Sequence, residues 1–172
     1  MMPQPPVPPA RGRRPRRRGI ALMEAMIAIV LLSIGALGYA ALQIKGLSAS
    51  SSSMWRSKAS NLAYEMADRM RANRAGAVAG AYNALGAPQV VTDCGAAADC
   101  SPVRMAQLDH AQWNATLANE LPGGSGVVCR DATPDDGTAA STGCDGAGNM
   151  LAVKVFWTER GVAARQVLGV RP

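Results

Sequence analysis

The feature that most constrains this chain is a long apolar segment close to its N-terminus. From Ile20 to Leu42 the sequence runs for 23 residues that are all apolar or small, apart from Glu24 and Ser33. As an α-helix this segment would be roughly 34 Å long, which is enough to cross a hydrocarbon core of roughly 30 Å. The segment therefore predicts a membrane-spanning helix.

Two simpler interpretations compete with a functional one. A secretory signal peptide would have a small-residue cleavage site such as Gly38-Tyr39-Ala40, but apolar regions of signal peptides are shorter, roughly 7 to 15 residues, and carry no acid. An ordinary anchor could hold Glu24 near the headgroups, where a carboxylate costs less than at the bilayer centre. An acid inside a membrane segment is nevertheless a functional hypothesis that requires a cationic partner.

The positive charge of the chain is concentrated before this segment. The net charge is +6, and 6 of the 18 basic residues precede Gly19, namely Arg11, Arg13, Arg14, Arg16, Arg17 and Arg18. The remaining 12 basic residues balance the 12 acidic residues, all of which follow Gly19. Positive charge is retained in the cytoplasm, so the N-terminus is predicted to be cytoplasmic and the rest of the chain exported. An arginine-rich arm for nucleic acid is the rival interpretation, but no spacer separates the arginines from the apolar segment.

These residues carry a resemblance to a known family. The stretch Gly19-Ile20-Ala21-Leu22-Met23-Glu24 after a basic leader resembles the processing signal of type IV prepilins and pseudopilins. The resemblance implies cleavage between Gly19 and Ile20 by the prepilin peptidase, and methylation of the new amine of Ile20. It also implies that Glu24 pairs with the N-terminal amine of a neighbouring subunit during fibre assembly.

The segment from Leu62 to Ala77 and the stretch that begins at Trp113 sharpen the resemblance, which is closest to PilV-type minor pilins, also called type IV pilus modification proteins. The implied fold is α+β, with a long N-terminal helix packed on a small antiparallel sheet. The implied organisation is a cleaved leader at 1–19, a transmembrane half of the first helix at 20–44, and an exported domain at 45–172.

The chain after the apolar segment predicts an amphipathic continuation of the helix to about Ala75. Met54, Ala59, Leu62, Ala63, Met66 and Met70 recur at spacings of mostly three and four and mark the buried face. Gly35 and Gly38 weaken the helix, as do the serines at 50–53. We expect local unwinding near the two glycines when the subunit assembles into a fibre, although such glycines also simply allow transmembrane helices to pack closely.

All four cysteines follow the apolar segment: Cys94, Cys100, Cys129 and Cys144. An even number in a small exported domain predicts disulfides. Pairing Cys94 with Cys100 and Cys129 with Cys144 is favoured because each pair brackets a loop rich in Gly, Ala and Asp, although four cysteines allow three connectivities. The spacing does not resemble that of a zinc site.

The exported domain should contain a second helix and a few strands. Ser101 and Pro102 predict the helix start, and Leu108, Trp113, Leu117 and Leu121 its buried face. Strands are predicted at 89–92, 126–130, 150–157 and 162–170, with 158–161 as the turn of the last hairpin, and three or four of them would form an antiparallel sheet. The loop 131–149 is predicted to be solvated; its aspartates lack an EF-hand pattern, so no metal is expected.

The prediction that follows is a minor type IV pilin without cofactor or enzymatic activity, stored in the inner membrane and then incorporated into the pilus. Its partners would be the prepilin peptidase, other minor and major pilins, and the inner-membrane assembly machinery. It would promote or initiate pilus assembly and support motility or adhesion. The alternatives are a minor pseudopilin of a type II secretion system and a pilin that captures DNA or a surface through basic residues of the last hairpin. An anchored enzyme is disfavoured because the only histidine, His110, has no catalytic companions in the pattern.

Overall fold

The computed structural model describes residues 18–88, 94 and 100–171. It contains three helices, α1 (Arg18–Ala72), α2 (Arg74–Val78) and α3 (Pro102–Glu120), and three strands, β1 (Ser125–Arg130), β2 (Leu151–Glu159) and β3 (Val162–Val170). The strands form one antiparallel sheet in the order β1-β2-β3. The chain divides into two compact units between Leu47 and Ser48. The predicted α+β class, with a long N-terminal helix packed on a small antiparallel sheet, is confirmed.

Helix α1 is continuous through both predicted weak points. It remains helical at Gly35, Gly38 and the serines at 50–53. Hydroxyl groups within the helix bond back to its own carbonyls: Ser33 Oγ donates to Ile29 O at 2.7 Å. The unwinding expected on fibre assembly is therefore not present in the single chain, and for the fibre it stays a prediction.

The first helix ends at Ala72, three residues earlier than predicted. Asn73 leaves the helical conformation, and its side-chain oxygen accepts a hydrogen bond from Gly76 N at 3.2 Å. An asparagine that bonds to the backbone ahead of it competes with the helical hydrogen bond and begins a new helix. The short helix α2 is the result.

The core of the second unit is built on one face of α1. The predicted stripe is buried from Ala59 onward, and Ala67 joins it, whereas Met54 is exposed. Tyr82 and the sheet residues Leu151, Val153, Val155 and Trp157 belong to the same core. Trp113 lies fully buried against α1 and donates its indole N–H to Leu62 O at 2.8 Å.

Helix α3 begins as the sequence predicts, and its buried face differs from the predicted one at Leu108. Ser101 is its N-cap and accepts from Arg104 N at 3.4 Å, with Pro102 in the first turn. Trp113 and Leu117 are buried as predicted, but Leu108 is only partly buried, and Asp109 is buried in its place. Asp109 lies four residues before Trp113, so it shares the face of the helix that contacts α1 and α2.

The hairpin of β2 and β3 is tighter than the predicted four-residue turn. Thr158 and Glu159 still belong to β2, and only Arg160 and Gly161 connect the strands. Both have positive φ, 51° and 79°, as a two-residue type I′ turn requires. Strands β1 and β3 match the predicted positions, whereas the strand expected at 89–92 lies outside the described residues.

Strand β2 is buried on both faces, although its sequence alternates. Leu151, Val153, Val155 and Trp157 face the core, as predicted. The other face carries Ala152, Lys154 and Phe156, which are also buried. The loop between β1 and β2 covers part of this second face, because Lys154 bonds to its oxygens and Phe156 lines a cavity together with Gly137 and Thr138. Most residues of the loop 131–149 are exposed, as predicted, whereas Asp131 and the oxygens that bind Lys154 pack on the strand.

Close packing between α3 and β1 depends on a glycine. A Cβ atom at Gly126 would lie 2.2 Å from Trp113 Cη2 and 2.7 Å from Leu117 Cδ1. We expect Gly126→Ala to destabilise the domain by about 1–3 kcal/mol, because overpacking forces these side chains out of place. Thermal unfolding of the detergent-solubilised chain measures the effect. Gly86→Ala is the matched control, since a Cβ there meets nothing within 4 Å; equal losses in the two variants would contradict this account.

Candidate functional site

The first unit presents apolar side chains without a covering. Every side chain from Ile20 to Leu47 is exposed. Within the described part of the chain, α1 is the one helix long and apolar enough to cross a membrane. Exposed apolar surface of this extent is not left in water, so lipid or other subunits must cover it.

The predicted processing residues lie at the start of this helix. The described part of α1 begins at Arg18 and includes the Gly19–Ile20 bond. Glu24 is exposed among apolar neighbours and follows Ile20 by four residues, so both lie on the same face of the helix. No ion pair between described side chains involves Glu24.

A cluster of charged side chains lies on the face of β2 that is opposite the core. Lys154 is fully buried, and its Nζ lies 2.5 Å from Asp131 Oδ2 and 2.9 Å from Asp136 Oδ1. It also donates to Thr142 O at 3.0 Å. Burial alone would lower the pKa of Lys154, but the two aspartates raise it above its ordinary value. Burial alone would raise the pKa of Asp131, but Lys154 and the Thr133 backbone lower it below its ordinary value. The pair is therefore ionised at neutral pH.

Both disulfides join cysteines that are near in sequence. Cys94 pairs with Cys100, and Cys129 pairs with Cys144, with Cα atoms 4.9 and 6.0 Å apart. This is the pairing that the sequence favours. The second disulfide fixes the loop at both ends, because Cys129 is in β1 and Cys144 follows the residues that bind Lys154. Lysine and disulfide together hold the loop on the sheet.

A buried polar network joins the three helices, and sequence reasoning missed it. Asp109 accepts from the Tyr82 hydroxyl at 2.5 Å and from Arg69 Nη1 at 3.3 Å. Asn73 Nδ2 donates to the same hydroxyl and to Pro102 O. Burial, followed by the bond to Asp109, raises the pKa of Tyr82, so the phenol stays protonated and donates. The four-residue spacing of Asp109 from Trp113 was the signal that could have revealed it.

Comparisons with known families agree with the geometry of the first helix. The family model of the prokaryotic N-terminal methylation motif matches residues 14–40, and the model of type IV pilin Tt1218 and its relatives matches residues 41–111. The chain belongs to the type IV pilin superfamily. No curated protein and no solved structure matches the chain.

The predicted processing residues lie within the matched regions, whereas the Lys154 cluster lies outside them. Gly19, Ile20 and Glu24 lie within the methylation motif, which implies processing by the prepilin peptidase and incorporation into a pilus. The motif and the apolar helix fit anchoring in a membrane before incorporation. The Asp109 network lies within the pilin match, whereas Lys154 and its loop follow both matches.

The basic residues predicted to cluster on the last hairpin do not all share one surface: Arg160 and Arg165 line one cavity together with the acidic residues Asp135 and Glu159, whereas the other two lie elsewhere. Lys154 is buried, Arg160 donates to Ser48 O at 2.5 Å, and Arg165 donates to Asp135 O at 2.6 Å. Arg171 instead lines a cavity of about 260 Å³ with Arg71 and Arg74. Met70, Ala77 and Val170 form its apolar floor. Three guanidinium groups around one cavity can bind an anion.

His110 is the one histidine of this pilin, and its burial predicts that stability depends on pH. Its ring is buried, and Asn114 Nδ2 lies 3.1 Å from Nε2. Burial lowers the pKa of His110 from its ordinary 6.5, and a hydrogen bond with the backbone of Gly126 raises it only in part. Because the unfolded chain takes up this proton first, stability is lost as the pH falls below about 6.5.

We therefore expect the unfolding free energy to decrease from pH 7.5 to pH 5, and His110→Gln to weaken that dependence. The chain has one histidine, so the difference between the two pH profiles from urea unfolding reports on this side chain. An unchanged pH profile in the variant would show that another group is responsible.

Proposed function

We propose that this pilin is a minor subunit that is processed between Gly19 and Ile20 and enters the pilus from the inner membrane. One observation carries the proposal: the exposed apolar segment of α1, residues 20–47, has one acid, Glu24, five residues after Gly19 and within the matched methylation motif. A carboxylate in such surroundings is unfavourable alone and is stabilised when an ammonium group comes beside it. The methylated amine of Ile20 in a neighbouring subunit supplies that group.

The proposed topology has a cytoplasmic N-terminus and a periplasmic domain before assembly. The arginines before Gly19 favour this orientation, and the disulfides are compatible with an oxidising compartment. We propose that the subunit acts with other minor and major pilins and the inner-membrane machinery to promote or initiate assembly, and so supports motility or adhesion. Its role is structural, without catalysis.

Intact mass of the protein extracted from its native membrane tests the processing. We expect loss of residues 1–19 and one added methyl group on Ile20. Gly19→Val should leave the chain uncut, whereas Gly12→Val, the same change within the leader, should be processed normally. A wild-type chain that is uncut, or that begins after Ala40 as a signal peptide would predict, contradicts the proposal.

The pilus and the secretion pseudopilus can be separated by deletion of the gene. Loss of surface pili and twitching with intact protein secretion supports the pilus. Loss of secretion with normal pili would identify a minor pseudopilin of a type II secretion system. Complementation with the wild-type gene must restore the lost activity.

The arginine cavity favours a second function, binding of an anionic polymer such as DNA. Neither Arg74 nor Arg171 has an acidic partner within residues 18–88, 94 and 100–171, whereas Arg71 pairs with Asp68 at 2.5 Å. Mobility shift of duplex DNA, repeated across salt concentrations, tests it. The double variant Arg74→Ala, Arg171→Ala should lose any shift, and the charge-matched Lys58→Ala, Arg160→Ala should keep it. Absence of a shift for the wild-type protein at low salt would exclude DNA as a ligand.

A further inference from the structure

Five oxygen atoms surround the buried ammonium group of Lys154. The carboxylates contribute Asp131 Oδ2 at 2.5 Å and Asp136 Oδ1 at 2.9 Å. Backbone carbonyls contribute Thr142 O at 3.0 Å, Asp136 O at 3.3 Å and Gly143 O at 3.4 Å. The side chain of Lys154 has no exposed surface. The ammonium therefore lies in an enclosed shell made only of oxygen.

This shell has more oxygens than hydrogen bonding can use. An ammonium group has three N–H donors, so five oxygens cannot each accept a full hydrogen bond. Asp131 Oδ2 is buried, and it is the oxygen closest to Nζ, at 2.5 Å. The contact is a charge-assisted hydrogen bond between the ammonium and the carboxylate.

The composition of the shell is that of a site for a hard metal ion. Carboxylates and backbone carbonyls are the ligands that Ca²⁺ takes in proteins, usually six to eight in number. Three of the five oxygens are carbonyls, which explains why no cluster of three or more His, Cys, Asp or Glu side chains marks a metal site in the described residues. The two carboxylates carry two negative charges, which a divalent cation in place of the ammonium would balance.

The loop that carries these oxygens is shaped by contacts apart from Lys154. Gly137 and Gly143 have positive φ. A Cβ atom at Gly137 would lie 2.2 Å from Thr142 O, and a Cβ atom at Gly143 would lie 2.2 Å from Asp136 Oδ1. Thr138 N donates to Ser141 O at 2.7 Å, and the disulfide to Cys129 fixes Cys144. These features allow the carbonyls and the Asp136 carboxylate to converge on one point.

We propose that this loop encloses a hard-cation site in which the Lys154 ammonium takes the place of a metal ion. The wild-type loop accordingly packs on β2 without a divalent cation. In a variant that lacks the Lys154 side chain, the same oxygens form a site for Ca²⁺. Calcium then orders the loop in the variant, as lysine does in the natural chain.

The test uses three variants of the full chain in detergent. Lys154→Ala opens space for an ion. Lys154→Met is the matched control, because its side chain keeps most of the lysine volume and blocks the shell while also lacking the charge. Lys154→Ala combined with Asp136→Asn removes one ligand from the opened site. Calcium binding is measured by titration calorimetry, and thermal unfolding is followed in CaCl₂, MgCl₂ and EDTA.

We expect wild-type unfolding to be the same in calcium and EDTA. Calcium should raise the unfolding temperature of Lys154→Ala, and magnesium should raise it less, because Mg²⁺ requires a tighter octahedral shell. Affinity for calcium should be at least about tenfold higher than in Lys154→Met or in the double variant. If Lys154→Ala does not fold in EDTA, the yield of folded protein on refolding in calcium is the measurement.

Two results would overturn the proposal. If Lys154→Ala binds calcium no better than Lys154→Met and gains neither stability nor refolding yield from it, the oxygens do not form a cation site. If EDTA destabilises the wild-type protein, a metal ion and not the ammonium orders the natural loop. Neither result bears on processing at Gly19, so this inference and the proposed function fail separately.

Discussion

Replacing Glu24 with glutamine is expected to remove this subunit from pili while leaving its amount in the membrane unchanged. The glutamine side chain has nearly the same shape but cannot pair with the ammonium group of a neighbouring Ile20. Leaving one member of a poorly solvated ion pair without its partner costs about 3–5 kcal/mol, which corresponds to a loss of incorporation of more than about 100-fold. Immunoblots of sheared pili and of membranes, from cells that carry each variant, measure the ratio.

Two further variants separate charge from other effects. Glu65→Gln is the same substitution within the same helix, at a half-exposed residue that pairs with Arg69 at 2.9 Å. Such a surface pair contributes less than about 1 kcal/mol, so incorporation should be normal. Glu24→Asp keeps the charge and should retain part of the incorporation. Full incorporation of Glu24→Gln would refute the assembly pair and leave Glu24 as an ordinary residue of a membrane anchor.

Asp131→Asn is expected to be the most destabilising conservative change in the second unit. The substitution leaves the ammonium of Lys154 buried with one carboxylate instead of two, and removing one partner from a buried ion pair costs about 3–5 kcal/mol. Urea unfolding at neutral pH measures the loss. Asp135→Asn is the control, because Asp135 is 92% exposed where it pairs with Arg165, and it should cost less than about 1 kcal/mol.

The contribution of Asp131 should also have a defined pH range. Its pKa lies below the ordinary 3.8 in the folded protein, so the unfolded chain takes up the proton first as the pH falls. The stabilisation is then complete above about pH 4 and is lost as the pH falls further through the folded pKa. If both the wild type and Asp131→Asn lose stability between pH 7 and pH 5, that loss comes from other groups. His110 is the group for which we expect such a loss.

The sequence by itself determined the first part of this pilin. Transfer of a helix into a membrane depends on the composition of contiguous residues, so length, the charges before Gly19 and the position of Glu24 were sufficient to predict the anchor and its family. Local signals were equally sufficient for the start of α3 at Ser101 and for the final hairpin. Each of these features depends on residues a few positions apart, whose interactions do not require the rest of the fold.

Only the tertiary structure decided what lies on the other side of β2 and between the helices. Lys154 looked like a solvated residue on an alternating strand, but a loop of this chain, held by the Cys129–Cys144 disulfide, covers it and supplies five oxygens. Asp109 likewise became buried because Tyr82 and Arg69, 27 and 40 residues away in sequence, meet it there. A charged side chain can be buried when distant oxygens or donors replace its water, and that replacement is not visible in the linear order of residues.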